Sequence, residues 1–189
     1  MRSRQTNKPD KYIVSECVKV LRDELPYNLH IFVNSVEFIA KVIDTLKLAP
    51  EAVKVVCSTS GESRQENQRK LGNAYPIGQP SDPAKKINFY TSTCFEGCDI
   101  FDPDGVTFIV SDGRKAHTLL DISTLFTQIC GRIRDSRYKA QIVHVYSTTK
   151  YSKAVTLDEF VAATQRTLAD AVNYAAEINS LSDATRVKT

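Results

Sequence analysis

The chain has 189 residues, with 25 Lys and Arg against 22 Asp and Glu, for a formal net charge of +3. Hydrophobic residues make up 42% and charged residues 25%, which excludes a collagenous, disulfide-dense or wholly disordered chain and leaves material for a sizeable core. A balance of +3 permits a nucleic acid partner without arguing for one, because only a clustered patch supplies the electrostatic term.

No apolar run approaches the roughly 18 residues that a membrane helix needs, so no membrane partner is expected. Residues 1–11 are polar and basic and lack the apolar stretch of a secretory signal. The expected setting is cytoplasmic or another intracellular compartment. Cys17, Cys57, Cys94, Cys98 and Cys130 form no C-x-x-C and read as reduced thiols packed as small apolar residues. Cys94 and Cys98 lack the paired spacing of a zinc site, and nothing marks a Cys–His nucleophile pair.

In chain order, residues 10–25 carry Ile13, Val14, Cys17, Val18, Val20 and Leu21, the pattern of an entering helix stopped by Pro26. Residues 29–33 (Leu-His-Ile-Phe-Val) predict a buried strand. Residues 36–48 follow with Phe38, Ile39, Val42, Ile43 and Leu46 at helical spacing, and Pro50 as the stop. Residues 52–57 predict a second strand, 64–71 a polar helix, and 72–83, with two Gly and three Pro, a loop. Further strands are predicted at 86–90, 106–110 and 141–146, with an amphipathic stretch at 121–133 between the last two. Apolar strands separated by helices imply an α/β fold with a mainly parallel sheet covered on both faces. The loops after such strands share one edge, where ligands bind.

At the other end, Thr156-Leu157-Asp158-Glu159 is a capping box, with Val155 and Phe160 placed for a hydrophobic staple. Leu157, Val161, Leu168, Val172, Ala175 and Ile178 then form one apolar stripe. The helix either docks on the domain, links to a further domain or binds a partner. The expected organisation is an N-terminal extension and entering helix at 1–26, the α/β core at 27–150, the C-terminal amphipathic helix at 151–181 and a frayed tail at 182–189.

Three segments carry chemistry-bearing residues. The first, residues 91–100 (Thr-Ser-Thr-Cys-Phe-Glu-Gly-Cys-Asp-Ile), follows a strand. Its hydroxyls and loop amides suit a phosphate, Gly97 permits close backbone approach, and Asp99 can accept from a ribose hydroxyl; a polar turn is the alternative. The second, residues 128–137, places Gln128 and Arg132 four apart on a helix, with Gly131 removing side-chain bulk. Arg132 and Arg134 reach one anion only if the helix ends near Arg132, and Asp135 and Ser136 favour that ending. The cluster suits either phosphoryl charge or a solvated helix end. The third is Asn34-Ser35 at the end of the first strand, where Ser35 can cap the helix or its free amides can meet a phosphate.

Taken together, these segments resemble the second motor lobe of a superfamily 2 helicase, of the origin-binding and DEAD-DEAH-like kind. Residues 31–40 resemble its motif IV, 91–100 its motif V and Gln128-x-x-Gly131-Arg132-x-Arg134 its motif VI, in the family's order over residues 29–149. The resemblance implies a RecA-like three-layer domain at 27–150, followed by a long C-terminal helix. It implies that Arg132 and Arg134 act as arginine fingers toward ATP, and that Gly97, Asp99, Gln128 and Gly131 face the nucleotide. It implies that Asn34, Ser35, Ser58, Thr59, Arg64, Thr91 and Ser92 contact a DNA or RNA backbone.

Where many relatives carry a last arginine, this chain has Asp135, which leaves open which arginine is the main finger. No G-x-x-x-x-G-K-[ST] and no Asp-Glu box occurs, so ATP and Mg²⁺ would be held mainly by an N-terminal RecA-like lobe of a longer parent. The chain alone is expected to be inactive as an ATP hydrolase. The alternative is a non-catalytic nucleic-acid- or protein-binding module on a degenerate lobe of the same fold.

Overall fold

The computed structural model describes residues 1–120, 122–148 and 155–180, and places the chain in two compact units, Met1–Thr149 and Lys150–Thr189. The first unit is built on six parallel strands: β1 (Arg2–Gln5), β2 (Asn28–Phe32), β3 (Val53–Val56), β4 (Ile87–Tyr90), β6 (Gly105–Asp112) and β8 (Ile142–Ser147). Their order across the sheet is β1-β8-β6-β2-β4-β3, and every neighbouring pair is parallel. This is the α/β sheet expected of a RecA-like three-layer domain.

Strand alternation sorts the core into two layers. Leu29, Ile31, Val55, Phe89, Val106, Phe108 and Val145 pack with Ile13, Cys17, Val20, Ile39, Val42 and Ile43 on one face. Helices α1 (Pro9–Leu21), α2 (Val36–Leu46) and α3 (Gly61–Leu71) cover that face. Phe32, Val56, Tyr90 and Ile109 point to the other face, under Cys94, Phe95, Ile100, Phe126 and Ile129. The cover there is irregular. It consists of a 3₁₀ turn at Ser92–Cys94, a π-helical turn at Ile122–Phe126 that continues as α4 (Thr127–Cys130), and a small parallel ribbon of β5 (Ile100–Phe101) and β7 (Ile133–Arg134).

Several boundaries differ from those read in the sequence. α2 stops at Lys47, whose φ of 48° puts it in the left-handed region with its N–H on the Ile43 carbonyl, before Pro50 is reached. α1 likewise ends at Leu21, and Asp23 turns the chain at a φ of 55°. The amphipathic stretch read at 121–133 begins at a position outside the described residues, ends as a helix at Cys130, and gives its last residue, Ile133, to β7. β1 has no counterpart among the predicted strands, because all four of its residues are polar and exposed and show no apolar alternation.

The second unit carries α5 (Leu157–Ser180). The capping box forms: the Thr156 N–H donates to Glu159 Oε2 at 2.8 Å, and the Glu159 N–H donates to Thr156 Oγ1 at 3.3 Å. The side chains of Leu168, Val172, Ala175 and Ile178 and the tail at 182–189 lie outside the described residues. Among the described residues, no helix is long and apolar enough to cross a membrane.

Candidate functional site

The helix carrying Gln128 ends at Cys130, and the chain then turns extended into β7. Within β7, Ile133 turns inward and is buried while Arg134 is exposed. The helix thus ends before Arg132, which is not on a helix with Gln128. Instead Arg132 folds back: its Nε donates to the Gln128 carbonyl at 3.0 Å, and its Nη1 donates to the Cys98 carbonyl at 2.8 Å.

Arg134 donates from Nε to Asp99 Oδ1 at 3.0 Å, with both side chains about half exposed (49% and 47%). The Ile100 N–H bonds the Arg132 carbonyl at 2.9 Å, and the ribbon pairs Ile100 with Ile133 and Phe101 with Arg134. The two segments, about 35 residues apart, thus form one surface over the second face of the sheet.

Gly97 is exposed at a φ of +70°, and a Cβ there would meet nothing within 4 Å. The backbone conformation calls for glycine, not a close neighbour. Gly131 needs neither: its φ is negative, and an added Cβ would make only an ordinary contact at 3.6 Å with the Gln128 carbonyl. Its expected part in removing bulk is therefore not seen. Cys98 donates its thiol to the Cys94 carbonyl at 3.4 Å, and burial pushes the Cys94 thiol up to about 12, where it stays protonated.

The residues read as backbone contacts all follow neighbouring strands at one sheet edge. Asn34 and Ser35 follow β2, Thr91 and Ser92 follow β4, and Ser58 and Thr59 follow β3. Ser35 caps α2, its Oγ accepting from the Phe38 N–H at 3.2 Å. Asn34 spans the crevice between loops: its Oδ1 accepts from the Ser92 N–H at 3.3 Å, and its Nδ2 donates to the His117 carbonyl at 2.9 Å. Thr91 is buried, with its hydroxyl 3.4 Å from that of Thr93. Ser58 and Ser60 share a hydroxyl hydrogen bond at 2.9 Å, while Thr59 and Arg64, on α3, are exposed. Those last residues are not bonded to the Asn34 and Ser92 group.

Two polar centres escaped the sequence reading. The first is a buried relay under the ribbon. His30 lies 2.7 Å through Nε2 from Asp102 Oδ2 and 3.1 Å through Nδ1 from the Tyr90 hydroxyl, and Asn28 Nδ2 donates to the same carboxylate oxygen at 3.0 Å. Burial lowers the His30 pKa despite the pull of Asp102. Burial acts to raise Asp102, but bonds from His30, Asn28 and the Asp104 amide outweigh it and hold the carboxylate below its ordinary value. His30 is therefore neutral. Its Nε2–H donates to a carboxylate, and its Nδ1 accepts from the Tyr90 O–H. The signals were a His inside an apolar strand and the Asp-Pro-Asp-Gly turn 72 residues later.

The second is Asp112, at the end of β6. It accepts from Arg114 Nε and Nη2, both at 2.9 Å, and from Ser147 Oγ at 2.7 Å. The Arg114 guanidinium holds its carboxyl well below the usual range. This joins the ends of β6 and β8.

Among the described residues, no three His, Cys, Asp or Glu side chains gather as a metal site. In comparisons with known proteins, no family model and no curated protein matches the chain.

Proposed function

We propose that this chain is the second motor lobe of an ATP-dependent nucleic acid helicase or translocase. The observation that carries the reading is the junction of residues 98–101 with 132–134, which sets two guanidinium groups beside Gly97 and Asp99. Guanidinium groups suit phosphoryl oxygens by charge and by bidentate geometry.

Within this reading the two arginines divide the work. Arg132 spends two donors on the carbonyls of Gln128 and Cys98 and braces the loop. Arg134 rests on an exposed, solvent-screened carboxylate that an incoming anion can displace. Arg134 is thus the finger that meets the transferring phosphoryl group, and Arg132 holds its neighbour loop in place. With no P-loop in the chain, the phosphate cradle and the Mg²⁺ ligands belong to a companion lobe. Magnesium would neutralise charge on the phosphates there.

Asn34, Ser58, Thr59, Arg64 and Ser92 line the edge that meets a DNA or RNA backbone. Such contacts position a strand without reading its sequence. Cycles of nucleotide binding and hydrolysis at the finger would move this grip relative to the companion lobe.

Binding of single-stranded homopolymers by the chain tests the backbone half of the proposal. Affinity is expected to fall with salt and to differ little among sequences. Arg64→Ala is expected to reduce the slope of log affinity against log salt by about 0.7. Binding that ignores salt, or that requires one sequence, contradicts it.

A further inference from the structure

The two edges of the sheet are finished differently. The outer edge of β3 is closed by the segment that follows α3: the Gly78 N–H donates to the Val55 carbonyl at 2.8 Å, Ile77 bridges Val55, and Lys54 Nζ reaches the Pro80 carbonyl at 3.1 Å. Among the described residues, β1, at the opposite edge, pairs on one side only, with β8, and all four of its own residues are exposed. The Thr6 N–H donates to the Tyr146 carbonyl at 2.8 Å. Parallel pairing alternates inward and outward peptide groups, so those of Arg2 and Arg4 turn toward β8 and those of Ser3 and Gln5 turn away from the sheet. Two N–H groups and two carbonyls there are arranged to receive another strand.

The side chains of this edge add a chemical preference. By register with Val143 and Val145, Arg2 and Arg4 lie on the α1 side of the sheet. Arg4 stands 5.9 Å over the Tyr12 ring, and among the described residues no carboxylate pairs with either arginine. A cleft of about 510 Å³ opens beside them, with Tyr12, Tyr27, Phe108 and Val143 in its walls. Glu16 also lines it, but Lys19 holds that carboxylate at 2.7 Å. Among the described residues, neither arginine's charge is matched by a carboxylate beside this cleft.

We propose that the β1 edge is a docking site for an acidic extended peptide, which adds as a seventh strand with carboxylates opposite Arg2 and Arg4. A second copy of the chain is a poor occupant, because pairing β1 with β1 sets arginine against arginine, and like charges opposite one another destabilise a strand pair. The proposal stands independently of the motor reading.

The test uses the intact chain and three synthetic peptides: one alternating Glu and Val, its Lys and Val counterpart, and the Glu–Val peptide N-methylated at alternate residues. Calorimetry reads affinity, and amide hydrogen exchange reads the edge. The Glu–Val peptide is expected to bind and to slow exchange at Ser3 and Gln5. The other two are expected to bind at least about tenfold more weakly. Arg2→Glu with Arg4→Glu is expected to reverse the preference between the Glu and Lys peptides.

No binding of the Glu–Val peptide overturns the proposal. So does equal binding of the Lys–Val or the N-methylated peptide. Binding without protection of Ser3 and Gln5 overturns it as well. If a single-stranded oligonucleotide occupies the same arginines and no peptide protects those two amides, the edge belongs to nucleic acid and the proposal fails.

Discussion

On the helix-covered face of the sheet, Ile31, Phe89, Val106 and Phe108 join one apolar cluster with residues of α1, α2 and the strands beside them. On the opposite face, the alternate positions of the same strands include His30, Asn88, Tyr90 and Thr107, all buried. One face is held by close packing under regular helices. The other adds hydrogen-bonded polar residues to the apolar layer of Phe32, Val56 and Ile109, under a cover of short turns and a two-residue ribbon. The difference separates two tasks: the first face supplies most of the stability, and the second fixes an irregular surface that carries Gly97, Asp99, Arg132 and Arg134.

The largest effect that sharpens this contrast belongs to the first face. Phe108→Ala removes a fully buried ring and is expected to cost about 3–5 kcal/mol in denaturant unfolding. Next comes the polar face. Asp102→Ala leaves His30 Nε2–H and Asn28 Nδ2 without their shared acceptor, at an expected cost of about 2–3 kcal/mol. If Asp102→Ala cost more than Phe108→Ala, the assignment of stability to the first face would be reversed.

Acid breaks the comparison from one side only. Burial keeps the pKa of His30 below its ordinary 6.5, so the unfolded chain takes up a proton at a pH where the folded chain does not. Stability is then complete above that value and declines as pH falls below it, by up to about 2 kcal/mol by pH 5. His144, also lowered by burial, adds to the same trend. A second decline follows below the ordinary 3.8 of Asp102 and Asp112, both of which are depressed in the fold. Unfolding titrations across this range check the sign, and His30→Gln is expected to flatten the upper limb. Stability that rises on acidification from 6.5 would contradict the neutral His30.

The smallest effect is local. Asn34→Ala is expected to cost about 1 kcal/mol. It should speed hydrogen exchange at Ser92 while sparing the amides of α2, which Ser35 caps separately.

β2, β3, β4, β6 and β8 were legible because each is a short run dominated by Val, Ile, Leu, Phe and Tyr, bounded by turn residues. β1 was hidden, because its Arg2, Ser3, Arg4 and Gln5 pair through backbone alone. The ends of α1 and α2 were hidden for another reason: Asp23 and Lys47 take left-handed conformations without a glycine to announce them. The site was partly legible. Arg132, Arg134 and Asp99 stood out by type and spacing, and Ser35 by its position before a helix. The Arg134–Asp99 pair and the His30–Asp102 relay were not, because each joins residues far apart in the chain and depends on a short ribbon or a turn that has no periodicity of its own.

Under the proposed function, Arg134 is a finger for phosphoryl charge and Arg132 its brace. Nucleic-acid-stimulated ATP hydrolysis by the chain joined to a companion lobe bearing a P-loop tests it most directly. Arg134→Ala is expected to lose about 10³-fold or more in turnover with the unfolding free energy changed by less than about 0.5 kcal/mol, whereas Arg132→Ala loses turnover and stability together. Stimulated turnover retained in Arg134→Ala would contradict the account.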